Sequence, residues 1–395
     1  MSSICQLCAN AFDNPVIDLG AHPLGDHFLK EEELTQPEHR YPLVVTQCPA
    51  CGHAQLLVDV PASERYQTHD YSYTASNSAA SRTHFEELAQ WCVVRHPLTT
   101  ESLVVDIGSN DGTLLSYFKE QTGCVVHGVD PSRNIAALAV ERGIPTIVDL
   151  FGPSAVVMIG KKADIVTSTN TFNHISDVCG FMDSIDSALA PDGIFVFEVP
   201  YLLDLVRQTA FDTIYLEHIL FFAVKPFAAF FASRGYAITH VERTAYMGGS
   251  IRVAITRGTT HAPEAAALIA EEEAAQLFSP TTYIAFMERV RGLRERLMSE
   301  LHDLLSGGAV VMGVGAATKG NTMLNYCGIT TAELRCVTDS SPFKIGKYTP
   351  GSHVPIRSDD ALREATHALI LPWNIADLLQ KKLQRPGLSF IIPRI

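Results

Sequence analysis

The run V-V-D-I-G-S-N-D-G-T-L-L, Val104 to Leu115, decides how this chain is read. Two β-branched residues lead into Asp106, Gly108 opens a tight turn, and Gly112 lets a helix begin close beneath whatever lies on the loop. The next strand pattern, V-V-H-G-V-D, ends 22 residues past Gly108 in Asp130. An acid there accepts hydrogen bonds from two ribose hydroxyls, as in a nucleoside-binding βαβ unit. The loop departs from G-x-G-x-x-G, the pattern that gives a pyrophosphate its close approach. Instead Asp106 and Asp111 flank the turn, and two carboxylates suit an ammonium or sulfonium better than a dinucleotide. A purely structural turn would explain the glycines alone but not the placing of Asp130.

Working outward, apolar runs at 103–107, 125–129, 165–168 and 194–199 are short, β-branched and bounded by Gly, Pro or Asp. Helical stretches lie between them, starting with an amphipathic segment at 83–94, so a parallel α/β sheet is expected. Residues 263–276 and 283–305 read as long connecting helices, and a strand at 309–312 opens a second α/β unit. The chain has 395 residues, which predicts two or three units. The expected division is an N-terminal module at 1–75, a central Rossmann-like sheet at 76–258 and a second Rossmann-like α/β domain at 259–395. The two sheet units are candidates for distant internal repeats.

Hydrophobic residues make up 47% and charged residues 18%, an ordinary folded composition with ample core material. A formal charge of −13 repels phosphate polymers, so nucleic acid is not an expected partner. The start, Met-Ser-Ser-Ile-Cys, shows no leader, and no apolar run reaches the roughly 18 residues of a membrane span. A soluble, cytoplasmic protein is expected, as a monomer or weak homo-oligomer. Its nine cysteines are then mostly reduced.

Four of them, Cys5, Cys8, Cys48 and Cys51, form two C-x2-C knuckles, the second within C-P-x-C-G-H. Paired spacing on both sides places four thiolates for a tetrahedral zinc, and four thiolates leave no open position for catalysis. The intervening segment must fold over the site. Buried packing cysteines are the alternative. His53 is read as a solvated side chain rather than a substitute ligand. Cys92, Cys124, Cys179, Cys327 and Cys336 lack paired spacing and read as small core residues.

With its flanking carboxylates and Asp130, the cofactor loop resembles class I S-adenosylmethionine methyltransferases. That resemblance implies Asp106 and Gly108 near the methionine part and Asp130 on the ribose, with Asn110, Asp111, Gly112 and Asn170 completing the cofactor set. Ligands in such sheets sit beyond the carboxyl ends of the strands. Three segments there are unusually polar or aromatic: S-T-N-T-F-N-H-I (168–175), F-E-V-P-Y (197–201) and D-T-I-Y-L-E-H-I-L-F-F (212–222). Tyr215 and His218 share a face if they lie on a helical turn, while Glu217 points aside. Such a pair suits proton abstraction beside a ketone: His218 takes the carbon-bound proton and Tyr215 hydrogen-bonds the oxygen on which enolate charge grows. The enolate carbon then attacks the sulfonium methyl in line. His174 is a second candidate for base or ketone polarisation. A packing histidine is the plain alternative for either ring.

The order of motifs resembles one family, the three-domain zinc-containing C-methyltransferases that act on nucleotide-linked keto-deoxysugars. The landmarks span the chain: the cysteine pairs, P-L-G-D-H-F (23–28), Y-S-Y-T-A-S (71–76), the cofactor loop, N-T-F-N-H (170–174), Y-L-E-H (215–218), G-G-S-I-R-V (248–253), G-x-G-A-x-x-K-G-N-T (313–322), D-S-S-P-x-K-x-G-x-Y-x-P-G (339–351) and P-W-N (372–374). The resemblance implies S-adenosylmethionine and structural zinc as cofactors. It also implies catalytic roles for Tyr215, Glu217, His218 and His174, with Tyr71 or Tyr73 over the sugar or cofactor. Leu216 and Met247 stand where members usually or often carry histidine.

A second glycine loop, Val310 to Leu324, again reads strand, G-V-G, helix. Its backbone amides, Gly315, Lys319 and Asn321 make a phosphate cradle for the substrate's nucleotide diphosphate. A dinucleotide site with Asp339 as the ribose acid is the rival reading, and it carries the alternative function of an NAD-dependent nucleotide-sugar oxidoreductase. Lys344 and Lys347 either screen the same phosphates or are surface lysines. Glu198, Tyr201 and Arg252 complete the expected substrate contacts, Arg252 being otherwise a strand-end charge. A zinc-ribbon regulator that binds nucleic acid is disfavoured by the acidic total and by the lack of a basic cluster beside Cys5 or Cys51.

Overall fold

In the computed structural model, which describes residues 3–67 and 70–393, the run that opens the cofactor loop is the strand Leu103–Ile107, buried along its whole length. Met1 and Ser2, part of the start read as leaderless, lie outside the described residues. A strand buried on both faces belongs in the middle of a parallel sheet. It does so here, in a seven-stranded sheet ordered Tyr236–Thr244, Ser250–Arg257, Leu189–Pro200, Ala163–Thr169, Leu103–Ile107, Val125–Val129, Thr146–Ile147. The first five strands in chain order pair in parallel. Ser250–Arg257 runs antiparallel to both neighbours, a departure from the expected all-parallel sheet. Its reason is local: only five residues join it to Tyr236–Thr244, a connection that permits a hairpin and is too short for a crossover.

The strand order reverses at Leu103–Ile107, which puts a crevice beyond its carboxyl end. Beneath that crevice lies an aromatic core in which Phe172 meets Phe181, Phe195, Phe197, Phe222 and Phe227 at ring-centroid distances of 4.8 to 6.0 Å. Each such ring contributes on the order of 1.5–3 kcal/mol by burial, so the floor of the crevice is rigid.

The N-terminal segment builds a four-stranded antiparallel sheet from Pro15–His22, Tyr41–Gln47 and Ala54–Leu56, completed by Leu220–Phe221 from the middle of the chain. The segment 212–218 therefore runs directly into a strand held by the zinc-module sheet. The connector is the helix pair Pro263–Ala274 and Pro280–Ser306. The long helix buries Tyr283, Phe286, Met287, Val290, Leu293, Leu297 and Leu301, a stripe at helical spacing. The C-terminal unit is a five-stranded parallel sheet centred on Val311–Val314, two residues later than the 309–312 expected from sequence.

Candidate active site

Gly108 has φ +70°, and a Cβ there would lie 2.1 Å from Thr171 Oγ1, so only glycine lets the loop pass the following strand end. Asn110 follows at φ +52°. Its amide donates to Asp130 Oδ2 at 2.9 Å and that of Ser132 to Oδ1 at 2.8 Å, which locks the Asp130 carboxylate while leaving lone pairs free. Asp130, Asp106, Gly108, Asn110 and Asn170 all line one cavity of about 600 Å³, together with Tyr66, Tyr71, Tyr73 and His174. That volume suits a nucleoside-sized ligand. Burial pushes Asp106 up to about 7, although Thr167 Oγ1 donates to it at 2.7 Å, and burial also raises Asp130. Two desolvated acids along a nucleoside-sized cavity are a fitting bed for a ribose and a cationic amino-acid tail.

From this cavity a row of rings leads to the segment 212–218. Tyr66 Oη lies 2.5 Å from His174 Nδ1 with the two rings parallel, His174 stands 5.0 Å from His218, and His218 stands 3.8 Å from Tyr215. Residues 215–218 form a turn closed by His218 N–H donating to the Tyr215 carbonyl at 2.9 Å. The expected shared face thus comes from a β-turn rather than a helix. His218 Nδ1 is 2.8 Å from the Thr213 carbonyl and must donate to it, so the lone pair of the neutral ring sits on Nε2. Burial pushes His218 down to about 3 and holds His174 well below the usual histidine range. His174 Nε2 is buried without a partner. Burial therefore favours the neutral form of both rings, each carrying one N–H.

Glu217 turns away from these rings. Its Oε1 accepts the Asp26 amide at 3.0 Å, its Oε2 is buried without a partner, and burial followed by the Asp26 charge pushes it up to about 7. Burial raises Asp26 as well, and Thr318 Oγ1 donates to Asp26 Oδ1. Burial and the Asp26 charge thus both favour the protonated form of Glu217.

The four Sγ atoms of Cys5, Cys8, Cys48 and Cys51 lie within 4.8 Å of one another, with Cys5–Cys51 at 3.5 Å and Cys8–Cys48 at 3.7 Å. Zn–S bonds of about 2.3 Å imply tetrahedron edges of about 3.8 Å, so the tetrad fits zinc and leaves no position for a reacting ligand. His53 is not solvated, as the sequence suggested. It is fully buried, edge-on to Phe227 at 5.3 Å, and burial pushes it down to about 3. Cys179, expected in a core, is exposed, whereas Cys92, Cys124, Cys327 and Cys336 are buried.

Three family models match: "Putative zinc binding domain" over residues 5–66, "Methyltransferase domain" over 82–241 and "C-methyltransferase C-terminal domain" over 245–393. The C-methyltransferase NovU of Streptomyces niveus is 33% identical over 98% of this chain and 94% of its own length. The chain belongs to the C-methyltransferase family. A ubiquinone biosynthesis O-methyltransferase of Methylobacterium nodulans is 35% identical over 26% of this chain and 42% of its own. Among solved structures, magnesium protoporphyrin IX methyltransferase (ChlM) from Synechocystis PCC 6803 matches at a TM-score of 0.37 and 15% identity, over 45% of this chain and 83% of that one. None of these matches supports the oxidoreductase alternative. The protein is an S-adenosylmethionine-dependent C-methyltransferase with a zinc-binding cysteine tetrad, and no helix among the described residues is long and apolar enough to cross a membrane.

Several expected contacts of this C-methyltransferase are engaged elsewhere. Asp111 is fully buried under the loop, bonded to Ser76 Oγ at 2.5 Å and Thr113 Oγ1 at 2.6 Å and paired with Arg142, because the turn after Asn110 points it inward. Gly112 packs against Ile144 and Ala139 rather than the cavity. Glu198 is bonded to His84 at 2.5 Å and Arg252 at 2.6 Å, and Arg252 also meets Glu242. The Tyr201 hydroxyl donates to Glu272 at 2.8 Å. Glu198, Tyr201 and Arg252 are all buried and none lines the cavity, because the side chains at this strand end close internal bonds.

On the C-terminal loop of the methyltransferase, Lys319 Nζ donates to Asn374 Oδ1 at 3.1 Å, Asn321 Nδ2 donates to the Gly25 carbonyl at 2.7 Å, and Lys344 Nζ donates to the Ala316 carbonyl at 2.7 Å. A Cβ at Gly315 would meet Pro372 at 2.6 Å. Sequence reasoning missed Tyr66, Arg65 and Asp212. Arg65 is fully buried and donates to the His174 carbonyl at 3.0 Å, bolting the N-terminal segment to the histidine turn. Asp212 Oδ2 accepts from Trp373 Nε1 at 2.7 Å, while its Oδ1 is buried without a partner. Asp212 opens the aromatic segment and was visible in it; Tyr66 and Arg65 had no local signal.

Proposed function

We propose that the enzyme methylates a carbon next to the ketone of a nucleotide-diphosphate-linked keto-deoxysugar through an enolate, on the way to a branched sugar. One observation carries the reading: a neutral imidazole, its tautomer fixed by the Thr213 carbonyl, stands against a phenol at the end of a ring row leading from the cofactor cavity. His218 Nε2 takes the proton from carbon. The enolate charge that develops raises the basicity of the ring beside it, offsetting its depression by burial. Tyr215, whose own ionisation burial suppresses, stays a hydrogen-bond donor for the enolate oxygen. His174, with Nε2 unpartnered and Nδ1 against Tyr66, orients the keto group. Tyr71 and Tyr73 wall the cavity, and Glu217 steadies the turn through Asp26. When bound, S-adenosylmethionine supplies an electrophilic methyl on a sulfonium, with Asp106, Gly108, Asn110, Asp130 and Asn170 as its bed.

The same reading divides the chain into a zinc-binding domain at 1–75, a methyltransferase domain at 76–258 and a C-terminal domain at 259–395. Five thiols outside the cysteine tetrad, none of them in a disulfide, fit a reducing compartment such as the cytoplasm. Incubating candidate thymidine-, guanosine- and cytidine-diphosphate keto-sugars with cofactor and reading the gain of one methyl by mass tests the substrate class. If all are returned unchanged and a free keto-acid is methylated instead, the class is wrong. Solvent deuterium should enter the accepted sugar beside its ketone in wild type and not in His218→Ala; full exchange in that variant would remove His218 as the base.

A further inference from the structure

We propose that the substrate's diphosphate is held in a cleft lined by Lys30, Arg133 and Lys347, one cation from each of the three parts of the chain, and not on the C-terminal glycine loop. The proposal rests on the nucleotide-sugar reading above. The cleft has a volume of about 680 Å³ and adjoins the cofactor cavity, since Tyr66 and Pro131 line both. Tyr66 is also the ring bonded to His174. A sugar whose ketone lies at His174 is therefore next to a ring, Tyr66, that also lines this cleft.

The charge pattern singles the cleft out. In a chain of formal charge −13, three cations converge here, and none of them closes a hydrogen-bonded ion pair among the described residues. The acids that line the cleft are Glu33 and Asp70. Glu33 is already engaged by His27 Nε2 at 3.1 Å and by the Lys30 amide at 2.7 Å. Burial, with Lys30 and Lys344 as like-charged neighbours, lowers Lys347 against the pull of Asp70 and Glu33, a strain that a bound anion relieves. Arg133 and Asn134 also begin the helix Arg133–Glu141, whose first amides favour negative charge. At the glycine loop, by contrast, both nearby lysines are engaged: Lys319 Nζ donates to Asn374 Oδ1 at 3.1 Å, and the Lys344 ammonium reaches in to the Ala316 carbonyl and lies over Phe28 at 4.9 Å.

The test is calorimetric titration of the full chain, loaded with S-adenosylhomocysteine, with nucleoside diphosphates and with inorganic pyrophosphate. Wild type should bind both, more weakly as salt rises. Lys30→Ala, Arg133→Ala and Lys347→Ala should each weaken both about tenfold, Lys347→Arg should restore most of the loss, and the two lysine variants should keep wild-type affinity for S-adenosylhomocysteine. With an accepted sugar, KM should rise far more than kcat falls. Wild-type diphosphate affinity in all three alanine variants, with loss in Lys319→Ala, would place the diphosphate on the glycine loop and overturn the proposal while leaving the function intact. Wild type that binds neither anion also overturns it. If pyrophosphate binds through the three cations but no nucleotide-linked sugar is methylated, the anion site stands and the substrate class falls.

Discussion

The two Rossmann-like sheets carry the same device and use it differently. In the middle sheet Asp130 receives the amides of Asn110 and Ser132 at 2.9 and 2.8 Å; in the C-terminal sheet Asp339 receives those of Ala316 and Ser341 at 2.8 and 2.7 Å. The first device lines an open cavity of about 600 Å³. Beside the second, a lysine ammonium is bonded to the loop carbonyl, and Asn321 and Thr318 of the following helix bond the N-terminal segment. A glycine loop and an acid one strand later thus specify a backbone shape. What packs over that shape decides whether a ligand enters.

The largest break in the symmetry should come from His218→Ala, which removes the proposed base at the end of the ring row that leads from the open site: kcat is expected to fall about 10³-fold with S-adenosylhomocysteine affinity unchanged by titration. Next, Asp130→Ala should weaken S-adenosylhomocysteine about 100-fold by loss of charge-assisted hydrogen bonds. Asp339→Ala should leave that affinity within about twofold and instead cost on the order of 1–3 kcal/mol of stability, because two amides lose their acceptor. Equal losses in both variants would show that both loops hold the cofactor.

Asp106 sharpens the comparison through pH. With its carboxyl raised to about 7, the empty site is protonated below that pH, whereas the ammonium of an amino-acid tail beside it favours the carboxylate. Affinity for S-adenosylhomocysteine should fall about tenfold per pH unit below 7 and level off above it, and Asp106→Asn should flatten the profile. The smallest effect is expected from Lys344→Met, which removes the ammonium from the Ala316 carbonyl: a Tm lowered by a few degrees for about 1–2 kcal/mol lost, and no NADH binding by fluorescence. Tight NADH binding would show that the lysine alone had closed a working dinucleotide site.

That Gly108, Asn110 and Asp130 line one cavity was legible because they belong to one βαβ unit, where spacing along the chain fixes spacing in the fold. The cysteine tetrad was legible for the same reason, at each knuckle. Asp111 and Glu198 were misplaced because a strand's end identifies the edge of the sheet and not the direction of the side chain. Tyr66, Arg65 and Asp26 were missed because their partners, His174 and Glu217, lie more than a hundred residues away. Only the packing of the N-terminal segment against the middle sheet brings them together.

The pairing of Leu220–Phe221 with Ala54–Leu56 hangs the turn at 215–218 from the same sheet that carries the second cysteine knuckle. The cysteine tetrad is therefore joined through one sheet to the turn that carries His218. Stripping the zinc, or replacing Cys48 by Ser, should yield an enzyme that still retains its cofactor yet turns over slowly, so that a lesion in a metal ligand mimics a defect in the chemistry.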